Sequence, residues 1–191
     1  MNRIHQLDPE KATGKAKELF EAARKKFGKV SNGFRVLGNS PAALEGYLAL
    51  KTALADGVLS TTLQEGLALV VGEINGCSYC LSAHTLSSRG MGLSKEEIVA
   101  ARRASSNDGK CDAALKFARS VAVQRGQIGD SELQAARRAG LNDAELVEIV
   151  LHVAMNSMTN FLNNAARTVI DFPEVQPGDF VEIPPGAVAV A

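Results

Sequence analysis

Cys77 and Cys80 lie three residues apart, and His84 follows four residues later, within the stretch QEGLALVVGEINGCSYCLSAHTLSSRG that runs from Gln64 to Gly90. On one helix these positions fall at i, i+3 and i+7, so all three line a single stripe. A thiol attacks only as its thiolate, and a free cysteine with a pKa of about 8.5 is mostly protonated at neutral pH. Three features of this stretch lower that barrier. The first turn of a helix offers unpaired backbone N–H groups and a positive dipole end to a sulfur anion. His84 can take the proton from Cys80 or hold it as imidazolium beside the sulfur. A second cysteine can resolve a sulfenic acid or mixed disulfide formed at the first. The pattern therefore predicts an exchangeable dithiol. A zinc site fits less well, because zinc usually takes four ligands and Cys111, His5 and His152 add none in paired spacing; inert packing of two core thiols is the remaining alternative.

Glu65 precedes this stripe on the preceding apolar run, where Leu69, Val70 and Gly72 predict burial. A buried carboxylate near a histidine is expected to act as a proton relay with a raised pKa. Glu73, two turns further on the same face, is the competing relay carboxylate, although its place beside a turn predicts exposure. Cys111 has no partner or base nearby in sequence and reads as a small buried hydrophobe. His152, Asn156, Asn160, Asn163 and Asn164 put many polar groups on one long apolar helix. Buried polar groups must find partners, so they line either a pocket or a subunit interface, and the interface is the favoured reading.

The elements that must carry these residues are helical, since apolar residues recur at intervals of three and four and alternating runs are scarce. Pro9 and Glu10 open a helix to Phe27, closed by Gly28. A link rich in glycine and asparagine spans 31–40. Pro41 begins a helix to Ala55, and Ser60 or Thr61 caps Leu63 to Ile74, closed by Asn75 and Gly76. The next helix runs from Cys77 to Gly90. Ser94 with Glu97 forms a capping box ahead of Ile98 to Ala104, and Asp112 to Gln124 and Ser131 to Ala139 follow. Asn142 with Glu145 opens the longest helix, Ala144 to about Ile170. The organisation expected is one helical domain over 1–172, with N-terminal helices in 1–57 and the cysteine-bearing core in about 58–172. Four prolines after Phe172 forbid a continuing helix and predict an extended arm over 173–191, either packed on a neighbouring subunit or frayed.

The chain has 191 residues, 46% hydrophobic and 22% charged, with 21 Lys and Arg against 21 Asp and Glu. No net field draws it to nucleic acid or anionic lipid, which leaves small molecules and proteins as partners. The N-terminal segment MNRIHQLDPEKATGKAKELF has no unbroken apolar stretch of the kind found in a signal peptide or anchor. Apolar runs such as Leu67 to Val71 fall far short of the roughly 20 residues that span a bilayer. A cytoplasmic protein is expected, and three cysteines do not make a secreted disulfide framework.

The spacing Glu65, eleven residues, Cys77, two residues, Cys80, three residues, His84 resembles the signature of the alkylhydroperoxidase AhpD-like branch of the carboxymuconolactone decarboxylase family. The segment LHVAMNSMTNFLNNAA followed by DFPEV is similar to the peroxidase-related members, so the likeness covers about residues 40–175. The resemblance implies an all-α, AhpD-like helical bundle assembled as trimers or hexamers. It implies a thiol-dependent antioxidant oxidoreductase with no bound cofactor or metal. Its dithiol would reduce a peroxide directly or recycle a peroxiredoxin, drawing electrons from dihydrolipoamide, free or on a lipoyl protein. Cys80 is then the attacking thiol, Cys77 its disulfide partner, His84 the base and Glu65 the end of the relay. Ser78 and Tyr79 stand between the cysteines, where AhpD proteins proper carry a histidine. The namesake decarboxylases lack the cysteine pair. A non-catalytic redox sensor or adaptor, and a decarboxylase-like enzyme acting on an organic acid, are the alternative functions.

Overall fold

The computed structural model describes residues 2–178. It is all-α: α1 (Gly14–Phe27), α2 (Asn32–Leu37), α3 (Pro41–Ala55), α4 (Thr61–Ile74), α5 (Ser78–Gly90), α6 (Lys95–Arg102), α7 (Gly109–Val123), α8 (Asp130–Arg138) and α9 (Asp143–Ala166), with no strand among the described residues. Local chemistry accounts for most of the boundaries. Ser40, Ser60, Ser94, Asp108 and Asn142 each accept a backbone N–H at a helix start, and Ser94 with Glu97 and Asn142 with Glu145 complete capping boxes. Gly28 ends α1 in the left-handed region at φ 79°.

The core is organised around α4. Leu67, Leu69 and Val71 are fully buried, and α4 packs against α5, α6, α7 and α9. Leu115 and Val121 of α7 and Ile149 and Val153 of α9 close this cluster. A smaller cluster gathers Ala16, Leu19 and Phe20 of α1 with Leu37 and Leu44, and Leu162 of α9 packs against it. Helix α9 thus touches both apolar groups, which makes it the mast on which the N-terminal helices and the α4 core are hung.

The largest differences from the sequence expectation are at α1, at the link over 31–40 and at the end of α9. The first helix starts at Gly14 rather than Pro9, because Asp8 accepts the Glu10 N–H and Lys11 N–H closes back on the Asp8 carbonyl, a local turn that competes with helix. The link over 31–40 contains α2, which forms because Val36 and Leu37 find buried positions. Helix α9 stops at Ala166, where Arg167 adopts a left-handed conformation and Thr168 N–H caps the Asn163 carbonyl at 3.0 Å.

After α9 the chain turns back over α5 and α6. Val175 N–H donates to Ser82 Oγ at 2.9 Å, Ser78 Oγ meets Gln176 Oε1 at 2.9 Å, and Arg102 donates to the Gln176 carbonyl at 2.7 Å. The expected extended arm therefore begins on its own chain's α5, while its residues 179–191 lie outside the described residues. Glu73 is a second correction. Placed at the end of α4, it was expected to face solvent, yet it is 2% exposed. The returning chain covers it: Glu73 accepts from Arg102 at 2.7 Å and from Gly178 N–H at 2.7 Å.

Removing one member of a buried ion pair costs about 3–5 kcal/mol, whereas replacing both with apolar groups is often close to neutral. Glu73→Leu alone is expected to lose that amount in a urea titration, and Glu73→Leu combined with Arg102→Met to recover most of it. Equal losses in the single and double variants would contradict this account.

Candidate functional site

The site is built on the hairpin of α4 and α5. Asn75 ends α4, Gly76 takes φ 60°, and Cys77 N–H donates to the Gly72 carbonyl at 2.9 Å, so the reversal occupies only a few residues. A side chain on Gly72 would lie 3.3 Å from Leu81 Cδ2, which shows how closely the two helices approach there. Glu65 sits nearly three turns before the reversal and His84 about two turns after it. The hairpin brings them to 2.8 Å, Glu65 Oε2 to His84 Nδ1, with side chains 16% and 22% exposed.

Burial is the largest single influence on Glu65 and pulls its pKa upward. The His84 charge, the hydrogen bond from His84, and Lys51 and Ser87 nearby together outweigh it and hold the carboxyl below its ordinary value. This corrects the expectation of a raised pKa. An ionised Glu65 accepts from Nδ1–H, so in the neutral imidazole Nε2 is the nitrogen free to take a proton. Glu65 therefore sets the tautomer that a base needs. Glu73, the competing carboxylate, is engaged by Arg102 and Gly178 and does not meet His84.

Cys77 and Cys80 are joined in a disulfide, with Cα atoms 5.3 Å apart. Cys77 is fully buried and is the N-cap of α5 rather than part of its first turn, its sulfur accepting the Cys80 N–H at 3.2 Å. Cys80 is 4% exposed, and Asn163 Nδ2 donates to its sulfur at 3.5 Å. Tyr79, between the cysteines, is pinned: its hydroxyl donates to Asp171 Oδ1 at 2.9 Å and accepts from Gly33 N–H at 2.8 Å. Burial pushes the Tyr79 phenol well above its usual pKa, so it stays protonated across the working range. Phe172 packs edge-on against Tyr79 at 5.5 Å between centroids, and Lys29 lies 3.9 Å over the Phe172 ring.

The polar residues of α9 work within this chain. His152, Asn156, Asn160 and Asn163 are buried by it, and Asn164 is exposed. Asn75 Nδ2 donates to Asn160 Oδ1 at 3.0 Å and Asn164 Nδ2 to the Asn75 carbonyl at 2.8 Å. These bonds hold the α4–α5 reversal, so for Asn160 and Asn164 the favoured interface reading gives way to an intramolecular one. Cys111 is half-buried and free near the start of α7, not buried as expected. Tyr79 is legible in sequence only as the residue between the cysteines, because its partners come from distant elements: Gly33 from α2 and Asp171 from the returning chain after α9. Asn163 was singled out, but nothing local linked it to Cys80, 83 positions away.

Residues 41–124 match the carboxymuconolactone decarboxylase family. No curated protein is similar enough in sequence to match. Among solved structures, a peroxidase-related protein from a Silicibacter species is 24% identical with a TM-score of 0.74, covering 88% of this chain and 94% of its own. The alkylhydroperoxidase AhpD core of an uncharacterized peroxidase-related protein from Ralstonia eutropha is 20% identical with a TM-score of 0.77, covering 89% and 92%. The debrominase Bmp8, bound to 2,3,4-tribromopyrrole, is 19% identical with a TM-score of 0.76, covering 90% and 92%. At these identities the likeness is one of fold.

A group whose folded pKa is lowered stabilises the fold above its unfolded pKa and loses that contribution as pH falls through the folded value. For Glu65 the unfolded reference is 4.5. The stability gap between the native protein and Glu65→Gln is expected to be constant at neutral pH and to close below that value, as read from urea midpoints. A gap unchanged into strong acid would contradict an ionised Glu65.

Proposed function

We propose that the chain, whose residues 41–124 match the carboxymuconolactone decarboxylase family, is a thiol-dependent antioxidant oxidoreductase that turns over a Cys77–Cys80 dithiol. The observation that carries this reading is a bonded cysteine pair at the start of the helix that bears a histidine whose tautomer a carboxylate sets. Cys80 is the attacking thiol, one turn before His84 on α5, and Cys77 resolves it.

In the reduced protein His84 Nε2 takes the Cys80 proton. The thiolate attacks one oxygen of a hydroperoxide, the S–O bond forms as the O–O bond breaks, and the leaving alkoxide takes the proton back from His84. Cys80 is now a sulfenic acid. The Cys77 thiol displaces its hydroxyl, giving water and the intramolecular disulfide. An external dithiol returns both electrons by exchange, with dihydrolipoamide, free or on a lipoyl protein, as the donor. The same dithiol would reduce the disulfide of a peroxiredoxin. The cycle belongs in a reducing compartment such as the cytoplasm. Solved relatives of this fold include peroxidase-related proteins and a debrominase, so the electrophile is the first property to determine.

Helix α9 also carries an outward apolar stripe of Val147, Val150, Leu151, Met158 and Phe161, between 40% and 61% exposed. At about 100° per residue these positions fall on one helix face, the kind of surface that a second copy covers. A homo-oligomer is part of the proposal.

The test is steady-state consumption of an organic hydroperoxide with dihydrolipoamide as reductant. Cys80→Ser is expected to abolish turnover, Cys77→Ser to stall after one equivalent, and His84→Ala to lower kcat/KM by about 10²–10⁴. Full turnover by Cys80→Ser would sink the reading. By light scattering the native chain is expected to be oligomeric and Val147→Glu with Phe161→Glu monomeric; a monomeric native chain would refute the assembly.

A further inference from the structure

Two sulfurs sit at the start of α5, and the fold supplies each with a different donor. Cys77, as N-cap, receives the Cys80 backbone N–H, the donor that a helix start provides without any side chain. Cys80 Sγ receives the side-chain amide of Asn163 from α9. The helix-terminal hydrogen bond expected to activate the nucleophile is thus spent on its partner.

Asn163 is an expensive way to fill space. It is 7% exposed, and its Oδ1 has no hydrogen-bond partner. That oxygen faces the Cα side of Gly33, where an added Cβ would lie 3.4 Å from it and 3.2 Å from Tyr79 Cε1. A buried carbonyl left unmatched is costly, and an apolar side chain of similar volume would avoid the cost. The bond the amide does make runs to a sulfur that accepts weakly while it is in a disulfide. Reduction changes that. The sulfur becomes an anion, the same contact becomes charge-assisted, and only the N–H end of the amide can then face it.

We propose that Asn163 is a catalytic residue, donating from Nδ2 to the Cys80 thiolate and holding that sulfur in its attacking form. This rests on the reading above that Cys80 is the attacking thiol. It adds a second group to His84: the imidazole removes the proton, and the amide stabilises the charge left behind. Gly33 contributes by leaving room for the amide against Tyr79.

The experiment uses the full chain carrying Cys77→Ser and Cys111→Ser, so that Cys80 is the one thiol titrated; serine at position 77 keeps a capping residue there. Thiolate absorbance is followed against pH. Asn163→Ser, which withdraws the donor, is expected to raise the Cys80 pKa by about one unit, a roughly tenfold loss of thiolate. Asn163→Asp, nearly the same shape, replaces the donor with an anion and is expected to raise it further. Neither variant moving the pKa, with circular dichroism unchanged, would overturn the proposal. If the serine variant fails to fold, the aspartate variant decides alone, and if that one fails the serine variant does. The readout involves no turnover. A shifted pKa without peroxide consumption would uphold the role of Asn163 and sink the peroxidase reading, and the reverse pattern would sink Asn163 alone.

Discussion

The 2.8 Å hydrogen bond between Glu65 and His84 exists only if α4 and α5 run back to back in one register, and much of the molecule serves that requirement. Gly72 lets the helices close on Leu81, Gly76 turns the chain through a left-handed residue, and the Cys77 N–H ties the turn to Gly72. Asn160 and Asn164 of α9 brace Asn75 from outside. A slip of one residue along either helix would rotate its side chains by about 100° and part the pair. The reversal is therefore as much a part of the site as the titrating groups.

Around this hairpin the fold makes the two cysteines unequal. Cys77 is fully buried and satisfied by a backbone N–H, while Cys80 faces α9 and Asn163. Tyr79 between them is anchored at both ends of its hydroxyl, to Gly33 and Asp171, which fixes the first turn of α5 against α2 and the returning chain. The Glu73–Arg102 pair holds that returning chain through Gln176 and Gly178. The proposed redox cycle, which makes and breaks one bond in this turn, would thus work against a frame held by the Glu73–Arg102 pair and the two hydrogen bonds of Tyr79.

Sequence carried the local part of this. Helical spacing, the serine and asparagine caps and Gly28 placed most boundaries correctly, since each depends on residues within one turn. The pairings of Cys77 with Cys80 and of Glu65 with His84 were legible because two helices and a short turn leave little freedom, although Cys77 proves to be the N-cap of α5 rather than part of its first turn. Burial of Glu73 is not legible locally, because the segment covering it arrives about 100 residues later. Asn163 reaches Cys80 only through the packing of α9, and the lowered pKa of Glu65 depends on Lys51 of α3 as well as His84. The failures are failures of distance along the chain, where tertiary contacts outvote local pattern.

The central claim is that one peroxide oxidises one dithiol, at Cys77 and Cys80. The most direct measurement adds one equivalent of an organic hydroperoxide to the fully reduced protein, counts the remaining thiols and maps the disulfide by peptide mass. Loss of two thiols per chain, a bond between Cys77 and Cys80, and a Cys111 that stays reduced are the expected result. Three surviving thiols, or oxidation centred on Cys111, would contradict it.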